Sequence, residues 1–323
     1  MRRIVSAALT VLGLFSVAMP AIAAYPDHTV TIVVPYPAGG PTDQLARQIA
    51  DKLSHKFGQN FIVENVTGGS TIIASNKVAK SAPDGYTLLL HNLQISANPT
   101  LFQSLPFDTE KDFVPVMFIN RNPLVVVGRK GLAPNTLAEF MALAKTQRLK
   151  EALPGFGTTG HLTSRVIEQL GKVKFDEIPY RGGAPAVTDV LGDHVDFLIG
   201  TPQQMAPLVA AGKLKAYGVT QKDKMAEFPT ADSFVKLLGP QLDIVYWQAM
   251  FAPTGTPDAV IKTLNASLEE VVTDPTILKS WAVEGVTAFP KNERSPEAGR
   301  KILKSEIARW GKVIKDNDIH VKQ

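Results

Sequence analysis

Three times in this chain a short apolar segment leads into a glycine-rich turn, and helix-forming sequence follows each turn. The turns are Gly39-Gly40-Pro41 after residues 31–34, then Gly155-Phe156-Gly157-Thr158-Thr159-Gly160, and finally Gly182-Gly183-Ala184-Pro185. A helix that begins at such a turn leaves backbone N–H groups unpaired at the positive end of its dipole. Each junction can hold an anion without a basic side chain, and the chain is therefore predicted to bind a carboxylate.

The first 24 residues have the three parts of a secretory signal peptide. Arg2 and Arg3 form a positive region, residues 4–17 are largely apolar, and Ala21-Ile22-Ala23 is a small-residue cleavage site. The apolar run is short for a bilayer core of about 30 Å, and Pro20 interrupts it, so a cleaved signal is favoured over a membrane anchor. We expect removal of residues 1–24 and a mature chain in the periplasm.

Charge and cysteine content exclude several classes of partner and site. The 34 basic residues become 32 when Arg2 and Arg3 are removed, against 30 acidic residues, so the formal net charge falls from +4 to +2. The chain has no basic cluster interleaved with aromatic residues, and nucleic acid is not expected as a partner. With 0 cysteines it can form neither disulfides nor thiolate metal sites.

Strand-like and helix-like segments alternate along the mature chain, which predicts an α/β fold with mostly parallel sheets. Strands are predicted at residues 61–63, 87–90, 114–119, 124–127, 173–175 and 194–199. Apolar stripes predict helices at Leu45, Ile49, Leu53 and Phe57, at Leu162, Val166 and Leu170, and at Val187, Val190 and Leu191. Helix starts are predicted at Thr136, from its spacing to Glu139, and where Thr256, Asp274 and Ser295 precede prolines.

The chain has no low-complexity linker, so two lobes would have to be joined by strands that cross between them. The candidates are residues 124–129 in one direction and 246–252 in the other. The resulting limits are residues 1–24 for the signal peptide, 25–124 plus 250–323 for the first lobe and 125–249 for the second. Ligands of open parallel sheets bind beyond the carboxyl ends of the strands, so the three turns are expected to face one another across a cleft.

Several residues of these turns have an alternative role in the helices themselves. Asp43 either caps the first helix or takes part in binding, and Thr158 and Thr159 are either N-cap residues or ligand contacts. The adjacent glycines favour ligand contact at the two threonines, because they let a bound group approach the backbone. His161 is either a neutral residue that hydrogen-bonds to its neighbours or a donor to a ligand oxygen.

The second turn, Gly155-x-Gly157-x-x-Gly160, also matches the dinucleotide-binding fingerprint, but its surroundings argue against that function. Leu153-Pro154 is a poor strand, and Asp176 and Glu177 interrupt the strand that follows. The residues after Gly160 do not fit a phosphate-binding loop, no Gly-x-Ser-x-Gly elbow is present, and the histidines lack metal-ligand spacing. We therefore expect no cofactor, no metal and no catalysis.

Five motifs occur in order across the mature chain. They are Val33-Val34-Pro35-Tyr36-Pro37-Ala38-Gly39-Gly40-Pro41-Thr42-Asp43, Asp84-Gly85-Tyr86-Thr87-Leu88-Leu89, Gly160-His161-Leu162, Tyr180-Arg181-Gly182-Gly183-Ala184-Pro185-Ala186, and Ala252-Pro253-Thr254-Gly255-Thr256-Pro257. Together they resemble the tripartite tricarboxylate transporter receptor family, the Bug- or TctC-type periplasmic solute-binding proteins. The resemblance implies a two-lobed type II periplasmic binding protein fold, no catalysis, and delivery of a carboxylate to the subunits of a membrane permease.

The resemblance also implies where the ligand lies. One carboxylate is expected between the first and second turns, held partly through water. The implied residues are Tyr36, Gly39, Gly40, Thr42 and Asp43 on one side, and Gly157, Thr158, Thr159, Gly160 and His161 on the other. The third turn, with Arg181, Gly182, Gly183 and Ala184, is expected to close the far side. Arg181 is either solvated there or paired with a second carboxylate.

The chain departs from the family where specificity is expected. His91-Asn92-Leu93-Gln94 replaces the usual run of small residues, and Ile95 replaces a common histidine. Phe156 stands where a small polar residue is frequent. It either packs between turn and helix or forms, with Tyr36 and Leu93, a slot for a flat ring.

These departures add His91, Asn92 and Leu93 to the candidate site and favour an aromatic mono- or dicarboxylate of the phthalate or terephthalate type. A citrate-like aliphatic acid is the alternative ligand. The alternative functions are a sensor that presents its closed form to a signalling receptor and, more distantly, a secreted enzyme. We expect a monomer that closes around its ligand at a hinge.

Overall fold

A computed structural model describes residues 25–319 of the chain. The signal peptide predicted for residues 1–24 lies outside this part. The strands are β1 (Val30–Val34), β2 (Phe61–Asn65), β3 (Thr87–Asn92), β4 (Phe113–Pro123), β5 (Val125–Arg129), β6 (Leu149–Leu153), β7 (Phe175–Pro179), β8 (Phe197–Gly200), β9 (Leu214–Val219), β10 (Asp232–Ser233), β11 (Val245–Pro253) and β12 (Thr287–Ala288).

Helices alternate with these strands along the chain. They are α1 (Pro41–Phe57), α2 (Ile72–Ala79), α3 (Gln94–Leu101), α4 (Leu137–Thr146), α5 (Thr159–Gly171), α6 (Gly183–Leu191), α7 (Pro202–Ala210), α8 (Phe234–Leu238), α9 (Asp258–Thr273), α10 (Pro275–Val283) and α11 (Pro296–Asp316). None of the helices in the described range combines the length and apolar character needed to cross a membrane.

The strands form two sheets of six strands each. The first sheet has the order β12-β4-β11-β3-β1-β2, and the second has the order β10-β9-β5-β8-β6-β7. β1 pairs in parallel with β2 and β3, and β6 pairs in parallel with β7 and β8. One central strand of each sheet, β11 or β5, runs antiparallel to both neighbours. The predicted two-lobed α/β architecture is confirmed.

The chain passes twice between the sheets. The first crossing lies at Leu124, between β4 of the first sheet and β5 of the second. The return lies before Val245, where β11 begins in the first sheet. The return crossing predicted at residues 246–252 and the limit predicted between residues 249 and 250 both fall inside β11. They need correction because β11 pairs with β4 from its first residue onwards.

Thr220 joins the two crossings. Its hydroxyl group accepts a hydrogen bond from the Leu124 N–H at 2.8 Å and donates one to the Ile244 carbonyl at 2.6 Å. Its own N–H donates to the Leu124 carbonyl at 2.9 Å, and its carbonyl accepts from the Ile244 N–H at 3.2 Å. Thr220 is fully buried, so these groups depend on one another for their hydrogen bonds. The two crossings are thereby held side by side.

The hydrophobic core is continuous through the crossings. One cluster of buried side chains includes Val33 from the first sheet, Val126 from the second, and Leu124 and Ile244 between them. A second cluster contains the predicted stripe of α1, which packs against the first sheet, and a third lies in the second lobe. The cavity described below is therefore built on two sheets that share part of one core.

Two strands of the second sheet contradict the sequence analysis. The segment that ends at Leu153 is strand β6, and β7 runs through Asp176 and Glu177 without interruption. β7 lies at the edge of its sheet, where charged side chains are tolerated, and these two carboxylates pair with Arg148 and Arg165. The strand argument against a dinucleotide site therefore fails, because β6 does lead into the second turn.

The segment before β8 also differs from the prediction. The strand predicted at residues 194–199 begins only at Phe197, because the chain is still turning at Asp193, which has a φ of +61°. The Asp196 carboxylate accepts a hydrogen bond from Arg129 at 3.0 Å, which fixes this turn. Leu191, predicted to belong to the apolar stripe of α6, is 39% exposed.

Most predicted helix caps are present. Side-chain caps form at Thr136, Asp274 and Ser295. Thr256 is the exception, because α9 begins at Asp258 and the Thr256 hydroxyl donates to the Pro253 carbonyl at 2.8 Å instead.

Replacing Thr220 with valine keeps the shape of the side chain but removes its hydroxyl bonds to both crossings. The buried Leu124 N–H and Ile244 carbonyl each lose a partner, which is expected to lower the free energy of unfolding by about 1–3 kcal/mol per group. Urea unfolding followed by circular dichroism measures this loss. Thr220→Ser is the control that keeps the hydroxyl, and equal stability of the two variants would contradict the role assigned to it.

Candidate functional site

The three predicted turns line one cavity between the two sheets. α1, α5 and α6 begin there, with Gly40, Thr158 and Gly182 as their N-cap residues. The cavity has a volume of about 560 Å³, within the range of about 300–1,000 Å³ that is usual for sites of small organic ligands. It lies at the carboxyl ends of β1 and β6, where ligands of open α/β sheets bind.

Most of the site residues predicted from the sequence line this cavity. They are Tyr36, Gly39, Gly40, Thr42, Asn92, Phe156, Thr158, Thr159, Gly160, Arg181, Gly182, Gly183 and Ala184. The predicted residues that do not line it are Asp43, His91, Leu93, Gly157 and His161, which are buried behind its wall. Which lining residues contact a ligand stays a prediction.

Asp43 fixes the shape of the first turn. Its carboxylate accepts hydrogen bonds from the Gly39 N–H at 2.9 Å, the Arg47 guanidinium at 3.0 Å and the Asn65 amide at 2.9 Å. Burial raises the pKa of Asp43, but these hydrogen bonds outweigh burial and keep the pKa below its usual value. Of the two roles expected for Asp43, the geometry supports capping of the turn.

His161 does the same for the second turn. Its Nδ1 atom accepts a hydrogen bond from the Gly157 N–H at 3.0 Å, so the ring proton lies on Nε2, which is 3.2 Å from a Glu177 carboxylate oxygen. Arg165 pairs with the same oxygen at 2.5 Å. The His161 side chain is 1% exposed. Both of its nitrogens therefore have partners in the protein, and His161 is a positioning residue of the turn.

Thr158 is the N-cap residue of α5 and also lines the cavity. Its hydroxyl group donates to the Gly155 carbonyl at 2.8 Å and accepts from the His161 N–H at 3.4 Å. The capping role expected for Thr158 is therefore present. Thr159, the next residue, is 4% exposed, and its Oγ1 atom has no hydrogen-bond partner in the described part of the chain.

The first and third turns contact each other where they line the cavity. Gly182 has a φ of +113°, and a Cβ atom added to it would lie 3.1 Å from Cγ of Pro37. Glycine permits both this backbone conformation and the close approach of the two turns. Arg181 is exposed beside this contact and forms no ion pair or hydrogen bond with residues 25–319.

His91 and Leu93 support the cavity wall from behind, and both are fully buried. Burial lowers the pKa of His91 to about 3, so the ring is uncharged near neutral pH. Its Nδ1 atom lies 2.8 Å from the Asn92 nitrogen and 3.3 Å from the Tyr36 hydroxyl oxygen. Leu93 packs in the core instead of forming part of the predicted slot, because its side chain points into the cluster that runs through the crossings.

A fourth glycine-rich turn was missed by the sequence analysis. Thr67, Gly68, Ser70 and Thr71 line the cavity between β2 and α2. Residues 68–71 have φ angles of +118°, +54°, +50° and +80°. Positive values are uncommon for Ser70 and Thr71, which are not glycines. The signal was present, because Thr67-Gly68-Gly69-Ser70 follows a strand and precedes a helix, as the other turns do.

Two further lining residues come from distant parts of the chain. The Tyr246 hydroxyl oxygen lies 3.1 Å from Oγ1 of Thr42 and accepts from the Asn92 amide at 3.3 Å. Gln94 accepts a hydrogen bond from the Tyr36 hydroxyl at 3.3 Å. No local sequence pattern predicts these contacts, because each depends on strand pairing in the first sheet.

The lining supplies hydrogen-bond donors and positive potential. Helix N-termini and hydroxyl groups face the cavity, and among the described residues that line it Arg181 is the single charged side chain. Within residues 25–319 no group of three or more His, Cys, Asp or Glu side chains is placed to hold a metal ion. This arrangement is suited to binding an anion of small size.

Comparison with models of protein families assigns the chain to a family. The model of the tripartite tricarboxylate transporter family receptor matches residues 45–319. The chain belongs to this family. Membership of this family, and not the strand pattern around the second turn, argues against a dinucleotide site there.

The receptor is similar along almost its whole length to the protein BugT of Bordetella pertussis. The two are 31% identical over an alignment 324 residues long, which covers 97% of this chain and 98% of BugT. The family and its solved neighbours are periplasmic solute-binding proteins.

The chain is also similar to solved structures with the same architecture. The periplasmic binding protein BugD matches with a TM-score of 0.87 and 29% identity, over 92% of this chain and 100% of BugD. Rpa4515 of R. palustris, solved with adipate, matches with a TM-score of 0.85 and 29% identity, over 92% and 100% of the two chains. MatC of Rhodopseudomonas palustris, with bound malate, has a TM-score of 0.83 and 29% identity, over 90% and 100%.

Gly182→Ala tests the contact between the first and third turns. The added Cβ atom would lie 3.1 Å from Cγ of Pro37, so the first and third turns would have to move apart. We expect ligand affinity, measured by calorimetry with adipate, malate and terephthalate, to fall by about tenfold or more.

Gly239→Ala is the matched control for backbone strain. Gly239 has φ and ψ of 120° and 170°, close to the 113° and 176° of Gly182, and its added Cβ would meet only the flexible Gln241 side chain. Both variants should lose similar stability, and only Gly182→Ala should lose affinity. Equal affinity of the two variants would show that the contact has no part in binding.

Proposed function

We propose that this receptor captures a small carboxylate in the cavity between its lobes and delivers it to the membrane permease of a tripartite transporter. The observation that carries the proposal is the convergence of three helix N-termini on one cavity whose described lining contains no Asp or Glu. Rpa4515 and MatC, which share this architecture, were solved with adipate and malate, both of them dicarboxylates.

The energetics favour several weak contacts acting together. A helix N-terminus stabilises a nearby anion by about 0.3–1 kcal/mol, and by up to about 2 kcal/mol when partly buried. Micromolar affinity requires about 8 kcal/mol in total. Three turns, hydroxyl hydrogen bonds and burial of the apolar part of the ligand together reach this value, whereas one turn would not.

Binding is proposed to proceed by closure of the lobes at the two crossings. The moving units are the predicted first lobe, residues 25–124 with the C-terminal segment, and the second lobe from residue 125 to the return before Val245. The Pro37–Gly182 contact joins these units, so it is formed or broken as they move.

An aromatic ligand of the terephthalate type is proposed on the basis of the cavity walls. Tyr36, Phe156 and Tyr246 line the cavity together with several prolines. Tyr246 takes the place that the sequence analysis gave to Leu93. Aromatic and proline walls suit a flat ring, and the polar side chains of the lining suit the carboxylates at its edge.

A panel of acids tests both the class and the type of ligand. Terephthalate, phthalate, benzoate, adipate, malate and citrate are compared by thermal shift and calorimetry on the purified receptor. Terephthalate is expected to bind most tightly and therefore to raise the Tm most when the acids are compared at equal concentration. A ligand at 100 times its Kd adds about 2.7 kcal/mol of stability. A larger response to an aliphatic acid would contradict the aromatic type, and no response to any acid would contradict the carboxylate class.

Phe156→Ser is the variant that completes this panel. Loss of the ring wall is expected to weaken terephthalate binding by about tenfold and to change adipate binding by less than about threefold. Phe156→Leu is the control that keeps apolar bulk. Equal losses for both acids would indicate a packing role for Phe156.

Arg181 is proposed to pair with a second carboxylate. Arg181→Gln should weaken terephthalate by about 3–10-fold and leave benzoate unchanged, because the side chain is exposed and its ion pair is screened by water. Arg148→Gln makes the same substitution on the surface of the second lobe, where Arg148 pairs with Asp176 at 3.2 Å. Calorimetry that shows wild-type affinity for both acids in Arg181→Gln would assign this arginine to the solvated alternative.

A further inference from the structure

Thr201 is a buried residue of the cavity wall to which the sequence analysis assigned no role. It follows β8, is the N-cap residue of α7, and lines the cavity together with Gln204. Thr201 is 5% exposed, and its Oγ1 atom has no hydrogen-bond partner among the residues that the structure describes. A buried hydroxyl group in this state is unfavourable, because it has given up its hydrogen bonds to water.

The hydroxyl group is unpaired at a position where a local partner is usual. An N-cap threonine ordinarily accepts a hydrogen bond from the N–H of the second or third helical residue. Thr201 has the extended backbone of an N-cap residue, with φ −85° and ψ 150°, yet its side chain makes no cap bond. The N–H of Gln204, the third helical residue, bonds to the Thr201 carbonyl instead, at 3.2 Å.

Other N-cap hydroxyls of this chain are satisfied within the protein. Side-chain caps are formed by Thr136, Thr158, Ser233 and Ser295. Thr201 differs from these residues because it lines the cavity with a hydroxyl group that has no hydrogen-bond partner among residues 25–319. The difference points to a group outside the protein that completes its hydrogen bonding.

Thr159 has the same unpaired state on the same wall. It is the first residue of α5, is 4% exposed, lines the cavity, and its Oγ1 atom has no partner among residues 25–319. The start of α5 packs closely against the end of β8, since a Cβ added to Gly160 would lie 2.8 Å from the Ile199 carbonyl oxygen. Two unpaired buried hydroxyls therefore come from neighbouring helix starts.

We propose that Thr201 is a ligand-binding residue that donates its hydroxyl proton to a carboxylate oxygen of the bound acid, beside Thr159. The assignment rests on the proposed function and deepens it, because it adds the N-terminus of α7 to the helix starts at the site. A carboxylate oxygen suits both groups present there, since it accepts strong hydrogen bonds from hydroxyls and is stabilised by the positive end of a helix dipole.

Thr201→Val and Thr201→Ser are compared in two measurements: calorimetry with adipate, malate and terephthalate, and thermal unfolding without ligand. Valine is expected to raise the Kd of each acid that the wild-type protein binds by about 10–100-fold. The Tm without ligand should stay the same or rise, because no hydrogen bond within the protein is lost. Serine keeps the hydroxyl and should keep the Kd within about threefold.

Thr163→Val is the matched control. Thr163 is also buried, but its hydroxyl donates to the Thr159 carbonyl inside α5 at 2.7 Å, and it does not line the cavity. Its replacement should leave the Kd unchanged.

An unchanged Kd in Thr201→Val, with normal binding by the wild-type protein, would overturn the assignment of Thr201 alone. A lowered Tm without ligand in Thr201→Val, with no rescue of the Kd by serine, would also overturn it, because that pattern marks a structural cap. Failure of the wild-type protein to bind any of the three acids would overturn the proposed ligand class and this subsite with it.

Discussion

The structure depends on the backbone N–H groups at helix starts, which cannot form hydrogen bonds within their own helix. Every α-helix leaves the N–H groups of its first turn without partners in the helix. Here α1, α5 and α6, which follow β1, β6 and β7, all begin at one cavity. The positive ends of several dipoles repel one another, so their convergence costs free energy, which a bound anion offsets.

The two lobes stabilise their turns by the same arrangement with different side chains. In each lobe, a residue one helical turn along the chain reaches back to a glycine N–H, at Gly39 or at Gly157. An arginine one turn further on and a residue of the next strand complete each set. The sets are Asp43, Arg47 and Asn65 in the first lobe and His161, Arg165 and Glu177 in the second. These sets keep the turns in shape, so the ligand meets donors that are already oriented.

Sequence patterns were sufficient for the features that depend on short-range chemistry. The α/β class, the three turns and most helix starts follow from apolar periodicity, glycine and capping residues. The errors arise where tertiary packing determines whether a segment is a strand or which way a side chain points. Glu177 is tolerated within β7 because that strand lies at the edge of its sheet. Leu93 belongs to the hydrophobic core because packing directs its side chain inward. Tyr246 reaches the cavity through strand pairing. Thr201 was missed because only coordinates show that a hydroxyl lacks a partner.

The position of β11 has a consequence for the order in which the molecule is assembled. β11 lies between β3 and β4 in the middle of the first sheet, although the whole second sheet, β5 to β10, comes between β4 and β11 in the chain. During synthesis from the N-terminus, the earlier strands therefore wait with unpaired edges until the segment that begins at Val245 emerges. The second sheet, by contrast, is made from one continuous segment and can pair as soon as that segment is complete.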